Sequence, residues 1–102
     1  MDNKENLQNL QNLFSVIDGC LPYEYDETFL NGEGTYDSIL IIKENSDRIM
    51  QISASELNDD TFTVLVYDDG DDPAKDGEVY LWNTDSPDFT LDNILTAIKN
   101  SL

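Results

Sequence analysis

Thr61-Phe62-Thr63-Val64-Leu65-Val66-Tyr67 decides the fold class of this chain. Phe62, Val64 and Val66 fall on one side of an extended strand and Thr61, Thr63 and Leu65 on the other, so one face is dressed for burial. The neighbouring stretches keep the same period. Residues 38–43 read SILIIK, a turn follows at Glu44-Asn45-Ser46-Asp47, and RIMQIS returns over 48–53, which is a hairpin. Beyond the decisive strand, Glu78–Trp82 pairs back across a long loop. Helical spacing appears only at the two ends. Leu7, Leu10, Phe14 and Ile17 recur every three or four residues, with Asp2 and Glu5 placed like a capping box and Gly19 followed by Leu21-Pro22 as the stop. Leu91, Ile94, Leu95 and Ile98 form the second stripe, with Asp88 or Thr90 available to cap it and Lys99 near its negative end. Helix, antiparallel strands and helix make an α+β class: an antiparallel sheet of about four to five strands with N- and C-terminal helices packed on one face. Residues 1–102 read as a single domain, with no internal repeat. Residues 22–35 are ambiguous: YEYDETF followed by Asn31-Gly32-Glu33-Gly34 fits an edge strand, a short helix or a loop.

The charge balance bounds the function more tightly than any motif. Asp and Glu number 22 against 5 Lys and Arg, a formal charge of -17. Such a surface repels nucleic-acid phosphate and anionic lipid, so neither direct nucleic-acid binding nor membrane binding is expected, and a basic protein becomes the natural partner. High charge is also a signature of disorder, but ten aromatic residues and the apolar clusters at 39–42, 64–67 and 79–82 are more than an acidic tail carries. The opening MDNKENLQNLQN lacks the basic-then-apolar order of a secretory signal, and a cytoplasmic protein is expected.

Catalytic chemistry finds little to use. The sequence has no histidine and one cysteine, which removes the commonest general base, the commonest zinc ligand and an internal disulfide. Cys20 has no Lys or Arg beside it to activate the thiol and reads as a small buried hydrophobe. A carboxylate-and-lysine nuclease needs an acid-x-Lys triplet downstream of Pro87-Asp88, and none is present. The expectation is a non-enzyme that takes no cofactor.

The segment from Tyr67 to Glu78 holds six carboxylates and one lysine between two strands. Charges packed this closely repel, and a cation or a basic partner relieves the repulsion, so Asp68, Asp69, Asp71, Asp72, Asp76 and Glu78 form an electrostatic hook. The competing reading is a solvated hairpin loop whose Gly and Pro set the turn and whose acids keep an edge soluble. Calcium fails on register. A count from Asp72 places Asp76 and Gly77 correctly, but Ala74 and Asn83 fall where an Asp or Asn and a bidentate Glu belong. Trp82 fits either a core position or an interface anchor. Glu24, Asp26 and Glu27, interleaved with Tyr23 and Tyr25, and with Glu33, Tyr36 and Asp37 following, make a second acidic-aromatic stretch that belongs either to the same partner site or to an ordinary edge.

Two stretches resemble a known family. Leu21-Pro22-x-x-Tyr25 followed by Phe29-Leu30 and Asn31-Gly32 is similar to the LP-x-x-Y…FL…NG signature of the SUKH superfamily, small α+β immunity proteins of bacterial toxin systems. The closing order is similar too: a strand ending Val66-Tyr67-Asp68, an Asp/Gly-rich loop, the strand Glu78–Trp82, an acidic turn and an amphipathic helix over Phe89–Ile98. The resemblance implies an intracellular protein that neutralises a cognate toxin, often a nucleic-acid-acting enzyme, by covering its active surface. A DNA-mimic inhibitor of a restriction, repair or CRISPR-type enzyme would use the same charge spread over an extended face. The crowding of six acids into the loop favours a local patch.

Overall fold

A computed structural model describes residues 3–30, 38–54 and 61–102. The elements are α1 (Asn3–Asp18), β1 (Tyr25–Leu30), β2 (Ser38–Lys43), β3 (Arg48–Ala54), β4 (Thr61–Asp68), α2 (Pro73–Asp76), β5 (Glu78–Asn83) and α3 (Leu91–Ser101). The five strands form one antiparallel meander in the order β1-β2-β3-β4-β5, so the chain is α+β with a helix at either end. The ambiguous YEYDETF stretch is an edge strand. Its register, Tyr25 opposite Lys43 and Phe29 opposite Ile39, places Tyr25, Glu27 and Phe29 on the helix side and Asp26 and Thr28 on the other. The Asn31-Gly32-Glu33-Gly34 turn, Tyr36, Asp37 and the Asp2 end of the capping box lie outside the described residues.

The alternation of β4 sets the core. Phe62, Val64 and Val66 are buried beside Ile39 and Ile41 of β2 and Met50 and Ile52 of β3. Leu10, Leu13 and Ile17 of α1 and Ile94 and Ile98 of α3 close over them. Burying side chains of this size contributes roughly 1.5–3 kcal/mol each before entropy is charged against it. α1 packs across β1, β2 and β3, with Phe14 tilted against Phe29 at 5.8 Å between ring centres. α3 sits over β3, and just before it Phe89 stacks on Phe62 at 6.0 Å.

The helix ends follow their sequence signals. Thr90, extended, accepts a hydrogen bond from the Asn93 amide and caps α3, and Lys99 lies in its last turn. α1 stops at Asp18, where the amides of Cys20 and Leu21 both turn back to the Ile17 carbonyl. The stop corrects the reading of Cys20: it sits on the solvent side of this turn and is exposed. A residue just past a helix terminus has left the helix's buried stripe, so its small apolar side chain finds no partner layer. The second correction concerns the acidic segment, which is not all loop. Pro73 to Asp76 form one short helical turn, with the Lys75 and Asp76 amides donating to the Asp72 carbonyl.

Candidate functional site: the acidic end of the sheet

In an antiparallel meander the start of β1, the end of β2, the start of β3, the end of β4 and the start of β5 all lie at one end. That topology gathers residues far apart in sequence. Glu24 comes from the turn just before β1 and Asp26 from β1, Glu44 and Asp47 from the β2–β3 turn, Asp68, Asp69, Asp71 and Asp72 from β4 and its loop, Asp76 from α2, and Glu78 from β5. Two backbone bonds tie the rim together. The Glu44 amide donates to the Glu24 carbonyl at 2.7 Å, and the Asp69 amide to the Asp47 carbonyl at 2.6 Å. Two turns make the tight geometry: Asn45 adopts φ 64° and Gly70 φ 94°, the left-handed region that asparagine and glycine tolerate best. The rim spans the sheet's full width, about 19 Å for five strands at normal spacing.

The cations at this end are partly engaged on the helix side. Lys43 Nζ lies 5.5 Å from the centre of the Tyr25 ring, and Arg48 Nε lies 3.6 Å from Asp68 Oδ1 with both side chains half-exposed. An exposed pair of this kind contributes about 0–1 kcal/mol. With Lys75 the end holds three cations against the ten acids just named, a clear negative excess. Among the described residues, no group of three acids or cysteines converges closely enough to hold a metal ion. The rim is an open array of carboxylates.

The residues singled out in the sequence divide accordingly. Asp68, Asp69, Asp71, Asp72, Asp76, Glu78, Glu24 and Asp26 come to the same end, so the two acidic stretches belong to one surface. Glu27 and Trp82 are elsewhere. Glu27 points to the helix side between Tyr25 and Phe29, where partial burial pushes its carboxyl above the usual value, with Asp18 and Asp26 adding to the rise and a backbone hydrogen bond opposing it. Trp82 sits half-buried on the helix side of β5 opposite Phe62, near the other end of that strand, and lines a cleft of about 250 Å³ with Phe89, Asn93 and Ile94.

Two features of β5 had no sequence signal. Its Tyr80 hydroxyl donates to Glu78 Oε2 at 2.5 Å, a bond that holds the phenol above its ordinary value. Val79 and Leu81, within the apolar cluster at 79–82, stand 62% and 68% exposed on the face away from the helices. That face is nearly free of charge. Thr28, Leu40, Gln51, Leu65 and Val79 form one cross-strand row, Leu30, Ser38, Ser53, Thr63 and Leu81 the next, and Asp26 is the face's one charged strand residue among those described. No helix among the described residues is long and apolar enough to cross a membrane. Comparison with known protein families, curated proteins and solved structures finds no match to this chain.

Proposed function

We propose that this protein is an acidic binding protein that neutralises a basic partner, a toxin or other nucleic-acid-acting enzyme, by covering that partner's active surface. The observation that carries the reading is the convergence of two separate acidic stretches on one end of the sheet. Enzymes that handle nucleic acid present basic clefts. An acidic rim about 19 Å wide matches such a cleft in charge and scale, and steers association toward rates of about 10⁸–10⁹ M⁻¹s⁻¹. The similarity of Leu21-Pro22-x-x-Tyr25 and of the C-terminal strand-loop-strand-helix order to SUKH immunity proteins supports the same reading. DNA mimicry is the weaker alternative. A mimic distributes carboxylates like phosphates along an extended face, whereas among the described strand residues the broad face of this sheet is uncharged except at Asp26.

The test is capture of partners from the native cell at about 50 mM and about 500 mM salt, conditions of weak and strong screening. Replacing Asp68, Asp69, Asp71 and Asp72 together with Asn is run beside the native chain. The reading expects one basic nucleic-acid-acting protein held by the native chain and bound more weakly by the variant, which still folds because all four side chains are exposed. A DNA-handling host enzyme released by added DNA would replace the reading with mimicry. An undiminished affinity in the quadruple variant would remove the acidic end from it.

A further inference from the structure

The two edges of the sheet are finished differently. At β1, α1 packs across the strand, Tyr25 is buried, Phe29 meets Phe14, and the opposite side carries the polar Asp26 and Thr28, with Leu30 alone apolar there. These are ordinary means of keeping an edge from pairing with another chain: coverage, an inward-leaning charge at Glu27 and polar residues outside. β5 has none of them beyond its first residue. Among the described residues no helix packs along it as α1 does across β1, although Trp82, near its far end, shares a cleft with Asn93 and Ile94 of α3; it holds no Pro, Lys or Arg, and five of its six residues are exposed, Tyr80 at 45% among them. Its two sides also differ from each other. Val79 and Leu81 line the uncharged face, and Glu78 and Tyr80 line the other, joined by their hydrogen bond.

We infer that the free edge of β5 is a strand-addition site for an extended segment in which apolar residues alternate with lysine or arginine. In strand addition, main-chain hydrogen bonds supply affinity and alternate side chains supply selectivity. A strand laid beside β5 sends every second side chain next to Val79 and Leu81, where Val, Leu or Ile is favoured. The intervening ones stand beside Glu78 and Tyr80, where a cation meets a carboxylate and the face of a phenol ring. Charge selects the occupant. A second copy joined antiparallel, β5 to β5, would bring together two chains of -17 and set Glu78 of each beside the uncharged Asn83 end of the other, and an acidic or neutral segment would likewise leave Glu78 unmatched. The inference rests on the basic-partner reading for the partner's sign of charge, and assigns that partner a strand of its own to place on this edge.

The probe is a capped peptide of alternating lysine and valine, as long as β5, set against a peptide of the same composition with its lysines and valines in two blocks. Binding is followed at about 0.15 M salt, where long-range attraction is largely screened, by Trp82 fluorescence and by amide exchange over residues 78–83. The alternating peptide is expected to bind about tenfold more tightly than the blocked one and to protect β5 amides. Leu81→Lys, at an exposed position, is expected to abolish that preference while its thermal unfolding stays near native, and Val79→Thr with Leu81→Thr gives the same result without adding charge. Changing Asp68, Asp69, Asp71 and Asp72 to Asn lowers both peptides together and leaves their ratio, so failure of the acidic end and failure of the edge are read separately. Equal binding of the two peptides, or a preference that survives Leu81→Lys, would overturn the inference. So would a dimer that protects residues 78–83 without peptide and dissociates on Leu81→Lys, since the edge would then belong to a second copy.

Discussion

Ile52→Ala tests the architecture at its centre. Ile52 is fully buried on β3, with Ile39 and Val64, themselves fully buried, as its neighbours in register on either side. The substitution removes three carbons, about 2.4 kcal/mol of transfer free energy at about 0.8 kcal/mol for each. Two flanking strands held by hydrogen bonds cannot close into the gap, so a cavity contribution brings the loss to about 3–4 kcal/mol, inside the usual range for this replacement. A domain of this length has only about 5–15 kcal/mol in total. The midpoint of thermal unfolding should therefore fall by about 12–30 °C. Urea and thermal unfolding followed by far-ultraviolet circular dichroism measure it, with an unchanged urea dependence showing that the unfolded state is unaltered. Leu81→Ala is the control: at 68% exposed it should change stability by no more than about 0.5 kcal/mol. A loss below about 1 kcal/mol at Ile52, or equal losses at both positions, would refute the assignment of the two sheet faces.

Glu27→Gln should stabilise the protein near neutral pH. Because the folded carboxyl titrates above its ordinary value of 4.5, the folded state holds more of the proton between the two values, so native stability falls as pH rises through 4.5 and levels off above the raised value. The variant's advantage is therefore full at pH 7 and shrinks toward pH 4, which paired thermal melts at the two pH values measure; an advantage independent of pH would contradict the burial argument. Thr90→Ala removes the side-chain acceptor for the Asn93 amide and should cost about 1 kcal/mol, read by the same melts, with Thr90→Asp restoring the cap.

The sheet was legible where one face is buried and the other is not. In β4 the Phe62, Val64, Val66 set and the Thr61, Thr63, Leu65 set separate cleanly, and the helix stripes through Leu10, Ile17, Ile94 and Ile98 follow the same logic. β1 was illegible because its acids fall on both sides, Glu27 between Tyr25 and Phe29 and Asp26 opposite, which breaks the apolar-polar alternation that marks a half-buried strand. Pro73 was the one hint of α2, being suited to a first helical position, but a single turn of four residues carries no periodicity. The candidate site was legible in parts and not as a whole. Each acidic stretch is visible in the sequence, yet their union depends on strand order and register, which are long-range properties. The exposure of Val79 and Leu81 was hidden for a related reason: Val79-Tyr80-Leu81-Trp82 has the composition of a central strand, and composition does not record whether a neighbour exists on the far side.

The acidic end and the apolar edge act over different distances, which is why their coexistence is informative. Carboxylates at Asp68, Asp69 and Asp71 attract a basic body from beyond contact, over a range set by the Debye length, about 8 Å at physiological salt. They specify little about how that body lands. Exposed backbone along β5 and the Val79–Leu81 pair can act only at contact, but they would constrain register, since a slip of one residue would turn a ligand's apolar side chains toward Glu78. Glu78 belongs to both surfaces, as the last acid of the rim and the first residue of the edge. On the proposed reading, a basic segment drawn to the rim would be delivered to the end of the strand from which pairing can proceed. Charge would then set how often the encounter occurs, and the edge how long it lasts.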